Sequence, residues 1–178
     1  MNRLEELNIR NDVEIISIRD DRFSRYGRIV EGFDVSGLIR CMEEDTVIPE
    51  KGNIYVPSLK ELEDLPVSRE IEKLIYKGTP IQVGYCNGRN STYNGFEYHK
   101  AIEVHVAVDD FMLVMGHCYD ISDDLKYSVD QAEVFYIERG TVFEIFGTTL
   151  HLSPLRVSDR GFRNVVILPR GTNTPLSE

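Results

Sequence analysis

Between Gly95 and His105 the chain reads GFEYHKAIEVH, which sets Glu97, His99, Glu103 and His105 at even spacings. On an extended strand these residues share one face, and Tyr98, Ile102, Val104 and Val106 share the other. One more imidazole, His151, stands among apolar neighbours in GTTLHLSP. Imidazoles and carboxylates in this combination suit two kinds of chemistry. Three or four of them converging within about 2.0–2.2 Å of one point bind a divalent transition ion, and a carboxylate beside that point can move a proton. Glu97, His99, Glu103 and His151 meet the first need. With no thiolate among them, they suit a zinc-, manganese-, iron- or nickel-type ion. Glu97 or Glu103 meets the second need. Taken singly, His99 also reads as a hydrogen-bonded interior histidine, and Glu97 as either a ligand or a metal-free general base.

Other residues are weaker candidates. His105 lies beyond the ligand pattern, which suits a partner to a ligand or a substrate contact at the mouth of the pocket. Tyr85 and Arg156 could hold a carboxylate or phosphate if turned inward. Arg156 is out of phase with His151, however, so it needs a bulge near Pro154 to face the same way. Tyr98 and Lys100 fall on the face opposite His99, and His117, before acidic DISDD, reads as a surface residue. Cys41, Cys86 and Cys118 are odd in number and widely spaced, which suits free buried thiols rather than a disulfide framework or a zinc site.

These side chains need a scaffold of strands. From Thr79 onward, short runs rich in Val, Ile, Phe and Tyr alternate with Gly, Asn, Asp and Pro: PIQVGYC, FEYHKAIEVHVAV, FMLVMGHCY, AEVFYIE, TVFEIF, TLHLSPLRV and FRNVVILP. Runs of this kind predict an all-β sandwich or small barrel. Before Thr79, VEIISI predicts a strand. DVSGLIRCMEED predicts a short amphipathic helix with Asp34 as N-cap. Ser58 and Glu61 have capping-box spacing ahead of Leu59, Leu62 and Leu65, and a further helical set, Ile71, Leu74 and Ile75, ends at Lys77-Gly78. The expected organisation is a strand and helical extension over residues 1–78 packed on a β-barrel over 79–178.

Composition narrows the partners. With 178 residues, 42% hydrophobic and a formal charge of −10, the chain suits one globular domain with a sizeable core. The acidic balance, with no cluster of Lys/Arg interleaved with aromatics, argues against nucleic acid. No apolar signal core and no run of about 18 apolar residues argue against a membrane, so a cytoplasmic protein is expected.

The order of these residues resembles a known family. A Glu-x-His-x3-Glu strand, a hairpin carrying Glu138-Arg139-Gly140, and a later strand with a lone His after a small-residue turn are similar to the two motifs of the cupins. By position, His99 matches the second His of the first motif, Glu103 its Glu and His151 the His of the second, while Glu97 stands where the first His is usual. The resemblance covers about residues 80 to 170, and the layout is also similar to ureidoglycolate lyase and to bacterial cupin-like proteins of unknown function. It implies a mainly β, double-stranded β-helix or jelly-roll barrel with an N-terminal helical extension. It also implies a metal-dependent enzyme of isomerase, epimerase or lyase type on a small oxygen-rich metabolite such as a sugar derivative or hydroxy acid. A ureidoglycolate-lyase-like activity and a non-catalytic ligand-binding cupin are the alternatives. Cupins commonly pair, and long β-runs with exposed apolar residues make a homodimer the expected assembly.

Overall fold

The computed structural model describes residues 1–174; residues 175–178, the end of the expected barrel segment, lie outside the described residues. The chain opens with α1 (Arg3–Arg10), which the sequence reading did not assign. Its start is nonetheless encoded: Asn2 accepts from the Glu5 N–H at 2.9 Å while the Glu5 carboxylate accepts from the Asn2 N–H at 3.0 Å, a reciprocal capping box. After β1 (Ile15–Ser17) and β2 (Gly27–Ile29) comes α2 (Ser36–Asp45), then β3 (Asn53–Val56), α3 (Lys60–Glu63) and α4 (Pro66–Leu74). Asp34 does accept from the Ser36 N–H at 3.0 Å, although the cap residue itself is Val35. The capping box expected from Ser58 and Glu61 is not formed, because the Ser58 hydroxyl donates to Glu63 at 2.7 Å instead. Pro66 opens α4, where its missing N–H costs nothing.

The strands β4 (Ile81–Gly88), β5 (Glu103–Ala107), β6 (Phe111–His117), β7 (Glu133–Ile137), β8 (Val142–Ile145), β9 (Thr149–Leu150), β10 (Leu155–Arg156) and β11 (Phe162–Pro169) follow. They join β1 to β3 in two sheets, one in the order β1-β7-β6-β10 with β9 also on β6, the other β2-β8-β5-β11-β4-β3. The last strand, β11, lies between β4 and β5, antiparallel to both. This interleaving of early and late strands across two sheets is the jelly roll, and the mainly β architecture expected from sequence is the one found.

Burial explains why one face of the β5 stretch is apolar and the other polar. Val104 and Val106 pack with Val165 and Ile167 of β11 beneath Leu38, Met42, Leu62 and Ile71 of the helices. Each of these four helix side chains is fully buried, contributing about 1.5–3 kcal/mol. The helices thus cover the outer face of the six-stranded sheet. The opposite face, with Phe143, Ile145, Phe162 and Val166, meets the second sheet in the central core. Glu103 and His105 share that inward face.

The expected continuous strand over 96–108 is broken. Glu97 forms an isolated antiparallel bridge with His151, residues 98–102 leave the ladder, and regular pairing resumes at Glu103. The chain here crosses from one sheet to the other, and the corner sits over Gly147, where a Cβ would lie 3.0 Å from the His99 carbonyl oxygen. The N-terminal segment also does more than pack on the barrel: β1, β2 and β3 pair with β7, β8 and β4 and occupy sheet ends. Among the described residues, no helix is long and apolar enough to cross a membrane.

Candidate metal centre

Four segments bring their side chains to one cavity of about 530 Å³. The corner supplies Glu97 and His99, β5 supplies Glu103 and His105, the residue after β9 is His151, and β11 supplies Asn164. Glu103, His105 and His151 are buried, at 5%, 3% and 3% exposure, whereas Glu97 is exposed at the mouth. Pro57, Leu152, Pro154 and Val166 give the cavity apolar walls, and Asn53, Tyr55, Ser153 and Asn173 add neutral polar groups.

Glu103 is the hub. Its Oε2 lies 3.1 Å from Nε2 of His99 and 3.1 Å from Nε2 of His151, and its Oε1 lies 3.3 Å from Nε2 of His105. Donor atoms of Glu97, His99 and His151 also lie within 4.8 Å of one another. The outer nitrogens are fixed. His151 Nδ1 donates to the Thr149 carbonyl at 3.0 Å. His105 Nδ1 donates to the Asn164 side-chain oxygen at 2.9 Å, in the amide orientation that lets the Asn164 N–H groups reach the carbonyls of Val165 and Val106. The His105 ring also stacks on Phe143, centroids 4.7 Å apart. Held in this way, His105 and His151 both aim Nε2 at the carboxylate.

Electrostatics follow from that crowding. Burial pushes the Glu103 carboxyl up, but the imidazoles of His105 and His151, with hydrogen bonds from His151 and His99, overcome it and hold Glu103 far below the usual carboxylate range. Burial lowers His105 to about 4, more than the Glu103 charge can restore, with His151 and His99 adding to the depression. His151 moves up instead: burial lowers it, but the Glu103 charge and hydrogen bond outweigh the burial. Cys86, at the cavity wall, is pushed up to about 12, first by burial and then by Glu103 and Glu97, so it stays a thiol and offers no soft ligand.

The residues fit a divalent cation. A neutral His105 with Nδ1 spent on Asn164 carries its lone pair on Nε2, and that buried atom has no hydrogen-bond partner. An inward lone pair beside a carboxylate is an arrangement that a cation relieves, and fixing the outer nitrogen is how proteins orient metal-binding imidazoles.

A family model described as a domain of unknown function (DUF4867) matches residues 15–178. The chain belongs to this family. No functionally curated protein matches the DUF4867 chain. Among solved structures it is similar to a cupin domain from Bordetella pertussis Tohama I, at 14% identity over 66% of this chain and 92% of that one, with a TM-score of 0.40. A mutant of Bacillus subtilis oxalate decarboxylase is similar at 12% identity and TM-score 0.38, over 55% of this chain and 24% of that one. Vicilin from hazelnut, Corylus avellana, is similar at 15% identity and TM-score 0.36, over 51% and 24%. The chain thus spans about a quarter of the oxalate decarboxylase and vicilin chains.

Glu97, His99, Glu103, His105 and His151 are brought together; Tyr85 and Arg156 are not. Tyr85 alternates with Cys86 on β4 and packs with the residues under the helices, on the face away from the cavity. No bulge turns Arg156 inward: it pairs in register with Phe111, and its guanidinium meets Asp159 at 3.1 Å. His117, read as a surface residue, is half-buried and stacks on Tyr26 at 4.5 Å. Sequence reasoning missed Asn164, Tyr55 and Asn53. Asn164 had left a signal, an amide with apolar residues on its C-terminal side in FRNVVILP.

Proposed function

We propose that this chain is a metal-dependent enzyme that isomerises, epimerises or cleaves a small oxygen-rich metabolite, a sugar derivative or a hydroxy or keto acid. The observation that carries this reading is the unpartnered, inward Nε2 of His105 in a cluster where Glu103 contacts three imidazoles. His99, Glu103 and His151 would hold an ion of zinc, manganese, iron or nickel type, with Glu97 the fourth ligand and the one least needed for retention, and His105 would add a donor from behind Glu103. When bound, such an ion supplies a Lewis acid for a carbonyl or hydroxyl oxygen.

The chain's own residues do the rest. Glu97 stands exposed at the mouth, its main chain tied to His151 by hydrogen bonds of 2.7 and 2.9 Å, so its carboxylate can exchange protons with solvent and still face the cluster. In the isomerisation of a hydroxy carbonyl compound Glu97 removes the proton from the hydroxyl-bearing carbon and returns it to the former carbonyl carbon, while the hydroxyl proton passes to the former carbonyl oxygen, so no co-reactant is consumed. Asn53, Tyr55 and Ser153 offer neutral donors and acceptors for substrate hydroxyls. The working assembly in this reading is a homodimer, which light scattering on the purified protein checks.

Elemental analysis of protein prepared without chelator, beside a panel of keto sugars, sugar phosphates, hydroxy acids and ureidoglycolate, tests the proposal. Glu97→Gln should keep the metal and lower the rate by about 10²–10⁴-fold, whereas His151→Ala should lose both. Ligand binding without turnover across the panel would favour a binding module. Absence of metal with an unchanged rate in Glu97→Gln would sink the proposal.

A further inference from the structure

A second cavity, of about 690 Å³, lies beyond the C-terminal end of β5 and shares no lining residue with the metal centre. It is walled by the β5–β6 turn, the β7–β8 turn, the β10–β11 connection and the end of β4, and five arginines but only three carboxylates line it. In a chain of formal charge −10 this excess is not the background composition.

The arginines fall into two groups. Arg139 is matched by Glu43 at 2.7 Å and Arg163 by Asp109 at 3.0 Å, while Arg3 is matched by Glu6 at 2.9 Å. Arg89 and Arg160 form no ion pair among the described residues. The Arg89 guanidinium donates to the carbonyls of Pro49, at 3.0 Å, and Asp159, which fix it in place without neutralising it. Arg160 is exposed on the adjoining loop. Arg163 adds a buried Nε–H that has no acceptor. The cavity thus holds two guanidiniums without an ion pair against one such carboxylate, Asp110, whose oxygens accept from the Tyr136 hydroxyl at 2.6 Å and the Arg139 N–H at 2.8 Å.

We propose that this cavity binds a small molecule through a phosphate group, with the guanidiniums of Arg89 and Arg160 as its donors. A phosphate monoester carries about −1.5 to −2 charges at neutral pH and three acceptor oxygens, enough to engage both unpaired guanidiniums at once. Guanidinium forks suit phosphate oxygens, and the cavity volume leaves room for the organic part of an ester.

The test is a titration of the full chain, followed by calorimetry and thermal melting, with inorganic phosphate, a sugar monophosphate and acetate at constant ionic strength. Phosphate and the ester should saturate and raise the melting temperature, with the ester tighter if the cavity takes the whole molecule. Arg160→Ala should leave the ligand-free melting temperature unchanged and weaken binding about tenfold or more. Because the site is independent of the metal centre, His151→Ala should bind phosphate normally. Non-saturating shifts that acetate or chloride reproduce, or phosphate binding indifferent to Arg160→Ala and Arg89→Lys, would overturn the assignment.

Discussion

His105 and Asn164 meet across the β5–β11 ladder, the imidazole Nδ1 2.9 Å from the side-chain amide, with the Asn164 N–H groups tied to two main-chain carbonyls. This amide decides which nitrogen of His105 faces the cavity. Asn164→Ala should therefore weaken metal binding by about 10–100-fold, the usual effect of removing a residue that orients a ligand. Competition with a chelating dye measures it, and an unchanged affinity would remove His105 from the donors.

Metal should stabilise the fold by mass action. At a free concentration about 100 times its dissociation constant, an ion that binds only the native state adds about 2.7 kcal/mol. Melting curves should climb with added metal and fall back with chelator, and His151→Ala should flatten the response. A melting temperature indifferent to both treatments would leave a metal-free pocket as the better account.

The metal-free protein should lose stability as the pH falls from about 6.5 to 4. Burial pushes His105 down to about 4 in the native state, from its ordinary 6.5, so the unfolded chain binds more protons between those values and stability falls as pH drops through that window. Glu103, held below its ordinary 4.5, contributes stability above that value and loses it as pH falls further. His151 has the opposite sign: raised above 6.5, it contributes fully below that value and loses its share as pH climbs through the raised one. Urea midpoints against pH in chelator should show a maximum with an acid limb, and His105→Gln should shallow that limb between pH 6.5 and 4.

Gly84 on β4 has no room for a side chain. A Cβ there would lie 1.9 Å from the Val56 carbonyl oxygen and 2.5 Å from the Pro57 carbonyl carbon. Gly84→Ala should cost about 1–3 kcal/mol by urea unfolding and displace the Tyr55 and Pro57 wall of the cavity. A change below about 0.5 kcal/mol would show that β3 moves aside freely.

The strand period was legible where the sheet is regular. Glu103 and His105 face the cavity because Val104 and Val106 have helices to cover them, and both facts follow from alternation. His99 was reached by a different route: its corner depends on Gly147 and on the bridge to His151, contacts that no local pattern encodes. Tyr85 and Arg156 were chosen by side-chain type, and the pleat overruled the type. Asn164 was legible in principle, as an amide in a largely apolar strand. Helix α1 was missed because eight residues give too little periodicity, although Asn2 and Glu5 marked its start.

The strands at the sheet ends set an order of events during synthesis. Ile15 pairs with Val134 and Gly27 with Ile145, so the first strands to leave the ribosome meet their partners only after roughly 120 further residues, about 6–24 s at ordinary elongation rates. Through that interval Ile15 and Ile16, buried in the native protein, have no ladder to join. The cavity closes later still, since Asn164 arrives on β11, the last strand. A chain that has not yet reached β11 therefore lacks the amide that orients His105, and its cavity is without one wall.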